Sequence, residues 1–290
     1  MTNDPTCPAC GGKYLFVAAQ LAKIRAYRCR DCHLEVTAAI LFERSTPADP
    51  VVRVSSTVTS TGYKDSMITR YGSLLDSARR LAANRLALYT QYLGKRPASI
   101  IEVGSGTGWM VKAFQELGVQ SAGLEIDAAL VALAQHNGAN VQLADICQLS
   151  LESLSKYDVV CSSQTLEHIL YPRRAIANMT RMVHPGGLVH IDVPNSAGWG
   201  ARLRRLRRGH GYWGILDPPH HQIGYYPETL QKLLENAGLE ILAIMEKPTN
   251  DNIFGQAILP TEFVSRAAML ASRWLGHGYL LIGLARVPVF

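Results

Sequence analysis

No apolar run in this chain of 290 residues reaches the ~18–20 residues that a membrane-spanning helix needs. No charged-then-apolar leader opens it either, so the chain reads as cytoplasmic. Internal repeats and low-complexity segments are also missing, which excludes solenoids and repeat arrays. Charged residues make up only 18%, and the net charge of +6 is mild, so charge alone does not mark a nucleic-acid binder. A further absence is a single glycine. Gly104, Gly106 and Gly108 form a glycine loop, but Trp109 stands where the third glycine of a pyrophosphate-binding G-x-G-x-x-G would fall. The expected ligand is therefore a nucleoside without a pyrophosphate.

What is present is organised around that loop. Ser99 to Val103 reads as a buried parallel strand, and a helical pattern runs from Trp109 to Leu117. Strand, glycine turn and helix make a nucleotide-binding crossover, with the helix-start amides facing the ligand. The next strand, Ala122–Ile126, carries Glu125 about 20 residues past the first glycine, where a carboxylate grips ribose hydroxyls. Glu102-Val103-Gly104-Ser105-Gly106-Thr107-Gly108 followed by Glu125 resembles the class I S-adenosylmethionine (SAM)-dependent methyltransferases. The resemblance covers residues 98–290. It implies SAM as cofactor, held by Glu102, Gly104, Ser105, Gly106, Gly108, Glu125 and Ile126. It also implies adenine recognition by Asp145 and Ile146 after the third strand, and Gln164 close to the donor.

With 48% hydrophobic residues the chain can bury a sizeable core, enough for one large domain plus something smaller. From Ala98, strands at Ser99–Val103, Ala122–Ile126, Val141–Leu143, Tyr157–Ser162 and Leu188–Val193 alternate with helices such as Ala128–His136 and Arg173–Val183. Two more strands are expected at Leu239–Met245 and Tyr279–Val287. The fold class is α/β: a doubly wound, Rossmann-like, mostly parallel sheet. The resemblance adds that it has seven strands with the last antiparallel. Before it, Asp65–Leu93 reads as a long helix, within a linker-and-helix region of residues 46–97; its start carries Tyr63 and Tyr71. Val51–Thr61 reads as extended, and Glu262–Leu275 as an amphipathic packing or lid helix.

The six cysteines divide into four and two. Cys7, Cys10, Cys29 and Cys32 form two C-x-x-C knuckles, the spacing of a four-thiolate structural zinc site. His33, next to Cys32, is the competing ligand that this spacing disfavours. Residues 1–45 are too short for a core of their own, so zinc would hold them as a ribbon with a short hairpin between the knuckles. Cys147 and Cys161 read as buried free thiols.

On the acceptor side, the fourth strand ends in Gln164-Thr165-Leu166-Glu167-His168, at the carboxyl edge where open sheets bind ligands. Leu166-Glu167-His168 resembles the small-molecule branch of the family, including quinone and glycan-cluster O-methyltransferases. Small-RNA 3′-end methyltransferases hold a divalent metal with Glu-x-x-Glu-His and a distant His; here Gln164 replaces the first Glu, and an amide is the poorer ligand. An insertion at residues 195–227 breaks the alternation. Its Asp217-Pro218-Pro219-His220-His221 and Tyr225-Tyr226-Pro227-Glu228-Thr229-Leu230 resemble a stretch of glycan-biosynthesis methyltransferases. His221 is the candidate base or substrate-orienting group, with His168 beside the reaction centre and His220 and Tyr225 contacting substrate. Arg202, Arg204, Arg205, Arg207 and Arg208 crowd seven residues of the insertion, with Arg204 and Arg205 the expected substrate contacts. Such a run suits phosphate on a nucleotide sugar or lipid-linked glycan, RNA phosphate, or an anionic membrane surface in peripheral contact.

These readings converge on a SAM-dependent methyltransferase acting on oxygen or carbon of a small-molecule or glycan acceptor. Sugar C-methyltransferases also carry a cysteine-rich zinc module, matched only in part over residues 1–60. Two rivals stand beside this reading. One is an rRNA-base methyltransferase using the ribbon to recognise RNA, although such ribbons end in a Cys/His pair. The other is a non-catalytic SAM- or RNA-binding module.

Overall fold

The computed structural model describes residues 6–13, 15–21, 24–37, 71–149, 155–206, 213–218, 221–247 and 278–289. The expected extended stretch Val51–Thr61, the helix Glu262–Leu275, Tyr63, His220, Arg207 and Arg208 lie outside the described residues.

Strands β4 (Ser99–Val103), β5 (Gln120–Glu125), β6 (Val141–Leu143), β7 (Tyr157–Ser163), β8 (Val183–Pro194), β10 (Glu240–Lys247) and β11 (Leu280–Arg286) form one seven-stranded sheet. Its order is β10-β11-β8-β7-β4-β5-β6. β4, β5, β6, β7 and β8 pair in parallel, while β11 runs antiparallel to both β8 and β10. The strand order reverses beside β4, so a crevice opens outside the carboxyl ends of β4 and β7.

Both faces of the sheet are covered, and so the central strands read as apolar runs in the sequence. On one face lie α1 (Tyr71–Leu93) and α2 (Trp109–Glu116). Leu74, Ala78, Ala82, Leu86 and Tyr89 recur along α1 at helical spacing and bury against Ile100, Val159, Cys161 and Leu188. On the other face α4 (Pro172–Arg181) and α6 (Pro227–Glu235) bring Ile176, Met179, Leu230 and Leu234 onto Ile101, Val160, Val189 and Ile191. Both helices begin on a proline, whose missing N–H costs nothing in the first turn. α3 (Ala128–His136) is capped by Asp127, whose carboxylate accepts from Ala129 N and Leu130 N at 2.8 and 3.2 Å.

Most boundaries shift by one or two residues, and the larger difference is around β8. The helix expected to reach Val183 stops at Arg181, and Val183 already opens β8. Pro185-Gly186-Gly187 is not a turn ahead of that strand but an irregularity inside it: Tyr157 pairs with Val183, and Val159 with Leu188. Gly186 N and Gly187 O there bond to the backbone of Val287.

A second sheet holds the N-terminal ribbon. β1 (Leu15–Leu21) and β2 (Ile24–Cys29) form the expected hairpin, and β3 (Glu35–Thr37) pairs with β2. Its fourth strand comes from far along the chain: β9 (Ile223–Gly224), within the 195–227 insertion, pairs with β3. The ribbon therefore has no separate core. Cys7, Cys29, Leu34 and Val36 belong to the same buried cluster as Ile223, Tyr225 and Leu230. Between β8 and β9 the insertion also forms α5 (Trp199–Leu206). No helix among the described residues is long and apolar enough to cross a membrane.

Candidate active site

The glycine loop closes β4 with Gly104, Gly106 and Gly108 all at positive φ (74°, 54° and 77°). Their roles differ. A β-carbon at 104 would strike the Thr165 side chain, and one at 108 would press on Ala139, so these two glycines serve packing. A β-carbon at 106 would meet nothing within 4 Å, so this glycine borders open space at the end of β4. Glu125 ties the loop to β5: Gly106 N donates to Oε2 at 2.8 Å, and Ile126 N and Asp127 N donate to Oε1 at 2.8 and 2.9 Å. Burial pushes its carboxyl above the usual range while these amides pull it back. Two large apolar side chains, Ile126 and Leu143, stay exposed at the same edge. Asp145 stands beyond β6, one oxygen accepting from Cys147 N at 2.8 Å. The next residue, Ile146, is buried, and its carbonyl accepts from Asn178. Ser105 departs from its expected role. Its hydroxyl points back at Leu124 O (3.5 Å) and fills the space over Gly123, so only its backbone can face a ligand.

Glu102 lies on the α1 face of the sheet, buried below the loop, and burial pushes its carboxyl up to about 8, opposed by Arg85. Arg85 belongs to a buried network that sequence reasoning missed. Its guanidinium pairs with Asp192 and donates to Ser163 Oγ at 2.7 Å. His190 Nε2 lies 2.9 Å from the second Asp192 oxygen, and Tyr89 OH is 2.6 Å from His190 Nδ1. Burial works against ionisation of Asp192, but His190 and Arg85 hold its carboxyl well below the usual range. The network braces the end of β7. Asp192 O accepts from Gln164 N at 2.9 Å, and Gln164 is held in the left-handed region at φ 50° with its side-chain amide nitrogen buried and unpartnered. A non-glycine residue in that region costs of order 1 kcal/mol or more and marks sites where neighbours dictate the backbone.

One pH dependence follows from Glu102. Its proton is held more tightly in the folded than in the unfolded chain. Its contribution is therefore complete below an unfolded carboxyl value near ~4.3 and is lost as pH rises toward about 8. Thermal melts should show a midpoint that falls between pH 5 and 8, and Glu102→Gln should flatten that slope. An identical slope in the variant would remove Glu102 as its source.

Past Gln164, a single 3-10 turn, Leu166–His168, presents the acceptor-side groups. Glu167 is fully buried, and neither of its carboxylate oxygens has a hydrogen-bond partner. Burial, first of all, pushes its carboxyl up to about 8. His168 and His221 stand beside it with their rings 5.0 Å apart, and the three ligand-type atoms lie within 4.8 Å of one another. The fold thus joins the end of β7 to the insertion at His168 and His221. Glu167, quoted in the motif but given no role, completes the cluster.

Two other expected substrate contacts are corrected. Arg205 turns inward: its Nη2 donates to both Glu35 oxygens (2.8 and 2.9 Å), to Ser196 O and to Tyr226 OH (both 2.8 Å). Tyr226 OH also donates to Glu35 Oε1 at 2.6 Å. A buried carboxylate left without such partners costs several kcal/mol, so Arg205 is committed to structure. Tyr225 is fully buried with its hydroxyl on Leu166 O at 3.2 Å, and presents no surface to a substrate. Arg204, half-buried, interacts with the Tyr279 hydroxyl.

In the ribbon the sulfurs of Cys7, Cys10, Cys29 and Cys32 converge, with Cys7–Cys32 and Cys10–Cys29 separations of 3.6 and 3.7 Å. Disulfides would need ~2.05 Å. Four thiolates at ~2.3 Å around a tetrahedral zinc stand about 3.8 Å apart, close to the separations here. Gly12 N points at Cys10 Sγ (3.4 Å), and the Cys7–Cys32 contact lowers one thiol of the pair at the expense of the other. His33 lies outside this cluster, its ring beside Tyr226. Cys147 and Cys161 are buried and free.

Comparison with known proteins agrees with the fold and with a methyltransferase activity. The family model described as "Methyltransferase domain" matches residues 75–244, more than half of the chain. A ubiquinone biosynthesis O-methyltransferase of Coxiella burnetii is 23% identical over 168 residues, covering 55% of this chain and 71% of that protein. The protein of the same name from Nitrosococcus oceani is 30% identical over 141 residues, covering 43% and 58%. Among solved structures, a SAM-dependent methyltransferase from Archaeoglobus fulgidus superposes with a TM-score of 0.52 at 20% identity, over 72% of this chain and 94% of the other. The plantazolicin methyltransferase BamL does so with 0.53 at 14%, over 78% and 91%. These two likenesses speak for the fold, and the family match for the activity. The chain belongs to this methyltransferase family and is a SAM-dependent methyltransferase.

Proposed function

We propose that the protein methylates a hydroxyl oxygen of a small molecule, with Glu167, His168 and His221 as the acceptor-side machinery. The observation that carries this reading is the cluster of two imidazoles and a buried carboxylate at the carboxyl edge, next to Gln164. The names of the relatives, O-methyltransferases of ubiquinone biosynthesis, point the same way. SAM supplies an electrophilic methyl on a sulfonium. Gly106 and Glu125 would seat its ribose and Asp145 its adenine, while Gln164 fixes the side of the crevice on which the acceptor lies. His221 would take the proton of the acceptor hydroxyl as its oxygen gained the methyl that bound SAM would give up, the carbon–sulfur electron pair remaining on sulfur. In-line alignment supplies much of the acceleration, and the base adds to it.

A second reading of the same cluster is favoured by Glu167, whose two buried oxygens lack hydrogen-bond partners, Oε1 standing 4.0 Å from His168 Nε2. Two imidazoles and a carboxylate suit a divalent first-row cation, which would lower the hydroxyl's affinity for its proton. We infer that the ribbon holds one structural zinc. Elemental analysis should then find one zinc per chain that Cys29→Ser loses. A second metal lost on Glu167→Gln would support the cation reading, whereas its absence leaves His221 as the base. A metal-free native protein with oxidised cysteines would defeat the zinc assignment.

The acceptor class is tested by incubating the protein and methyl-labelled SAM with a cell extract, then fractionating. Label in a small, organic-extractable product carrying a new methyl ether supports the proposal. Label in RNA would move the ribbon to nucleic-acid recognition and sink the small-molecule reading.

A further inference from the structure

His221 lies on a loop, yet its neighbours are held from outside that loop. Thr37, the last residue of β3, grips Gln222 twice: Thr37 N donates to Gln222 O at 3.1 Å, and Thr37 Oγ1 donates to Gln222 Oε1 at 2.8 Å. Gln222 N donates in turn to Glu167 O at 3.3 Å. The following residues, Ile223 and Gly224, pair with Val36 and Glu35. Glu35 is the buried carboxylate that pins Arg205 of α5 and Tyr226 at the head of α6. Beyond it, Thr229 Oγ1 donates to the Cys32 carbonyl, and Lys232 to the Asp31 carbonyl. A continuous chain of bonds thus runs from the second cysteine knuckle through β3 to Gln222–Gly224, the residues that follow His221.

We propose that the four-cysteine ribbon is the positioning element of the acceptor site, with Thr37 as its key positioning residue. When its sulfurs share one metal, the knuckle fixes Leu34 and so β3. β3 then fixes Gln222–Gly224 and holds His221 against Glu167 and His168. The edge of β3 that a ribbon could offer to another molecule is occupied by β9. The donor loop, Gly104 to Gly108, is tied instead to Glu125 and Thr165, so ribbon and donor site should be separable. This rests on reading the Glu167–His168–His221 cluster as the acceptor side, but its test needs no acceptor.

The test compares Thr37→Val, Thr37→Ser and Cys29→Ser in the full chain, by hydrogen exchange and by calorimetry with SAM. Thr37→Val keeps the side-chain shape and removes the hydroxyl. Amides over residues 222–225 should exchange about fivefold faster, the equivalent of one hydrogen bond. Thr37→Ser should restore the wild-type rate. Cys29→Ser should accelerate the same amides at least as much, with residues 100–126 and SAM affinity unchanged. Should Cys29→Ser fail to fold, the Thr37 pair carries the test. Unchanged exchange over 222–225 in Thr37→Val would overturn the proposal, and so would acceleration that Thr37→Ser fails to reverse. Labelled RNA in the acceptor experiment would count against the acceptor reading and leave this result standing.

Discussion

Replacing His221 with alanine lowers turnover by ~10²–10⁴-fold, the usual share of general acid–base catalysis, and leaves SAM affinity where it was. The expectation rests on where His221 lies. Its imidazole faces His168 at a ring distance of 5.0 Å and sits within reach of the buried Glu167. It comes from the 195–227 insertion, whereas the groups around Gly106 come from β4, β5 and their loops. Removing it takes away the proton acceptor, or one cation ligand, without touching the donor's ribose or adenine contacts. Single-turnover rates beside calorimetry separate the two effects. A variant that loses SAM binding in step with turnover would show that His221 belongs to the donor site.

Glu125→Ala and Gly106→Val should each abolish SAM binding measurable by calorimetry. The Glu125 carboxylate collects three backbone amides, from Gly106, Ile126 and Asp127, and so sets the shape of the loop that we propose seats the ribose. Alanine removes the acceptor that holds these three part-buried amides, and with it the bonds that fix the loop's shape. Valine at 106 has a different route to the same loss. Its side chain would enter the open space beside the loop, where we propose the donor lies, and a β-branched residue at φ 54° strains the loop too. Circular dichroism should show both variants folded. Wild-type affinity in both would sink the donor assignment.

The donor half was legible because its signals are local. β4, the glycine loop, Ala128–His136 and Val141–Leu143 fall where apolar runs, an Asp127 cap and glycine punctuation put them. Parallel strands buried on both faces announce themselves as continuous apolar segments. The four cysteines were equally plain, since metal-ligand spacing is a local pattern. What escaped sequence reasoning is long-range. Arg85 meets Asp192 across the sheet, and only the packing of α1 decides that an arginine in an apolar stripe is buried rather than solvated. The arginine run looked like a substrate-capturing cluster, but Glu35, 170 positions earlier, claims Arg205. A two-residue strand such as Ile223–Gly224 has no periodicity to read, so the joining of ribbon to insertion emerges only in three dimensions. Glu167 shows the same limit. Its motif was visible, whereas its burial without partners depends on the 3-10 turn and on Tyr225 and Gln222 closing over it.

The account stands most directly on where the methyl group points. A crystal structure of the protein with bound SAM measures this without knowledge of the acceptor. The account predicts adenosine against Glu125 and Asp145, with the sulfonium methyl directed past Gln164 toward the gap between His168 and His221. A methyl directed away from that gap, with His221 on the far side of the donor, would contradict it.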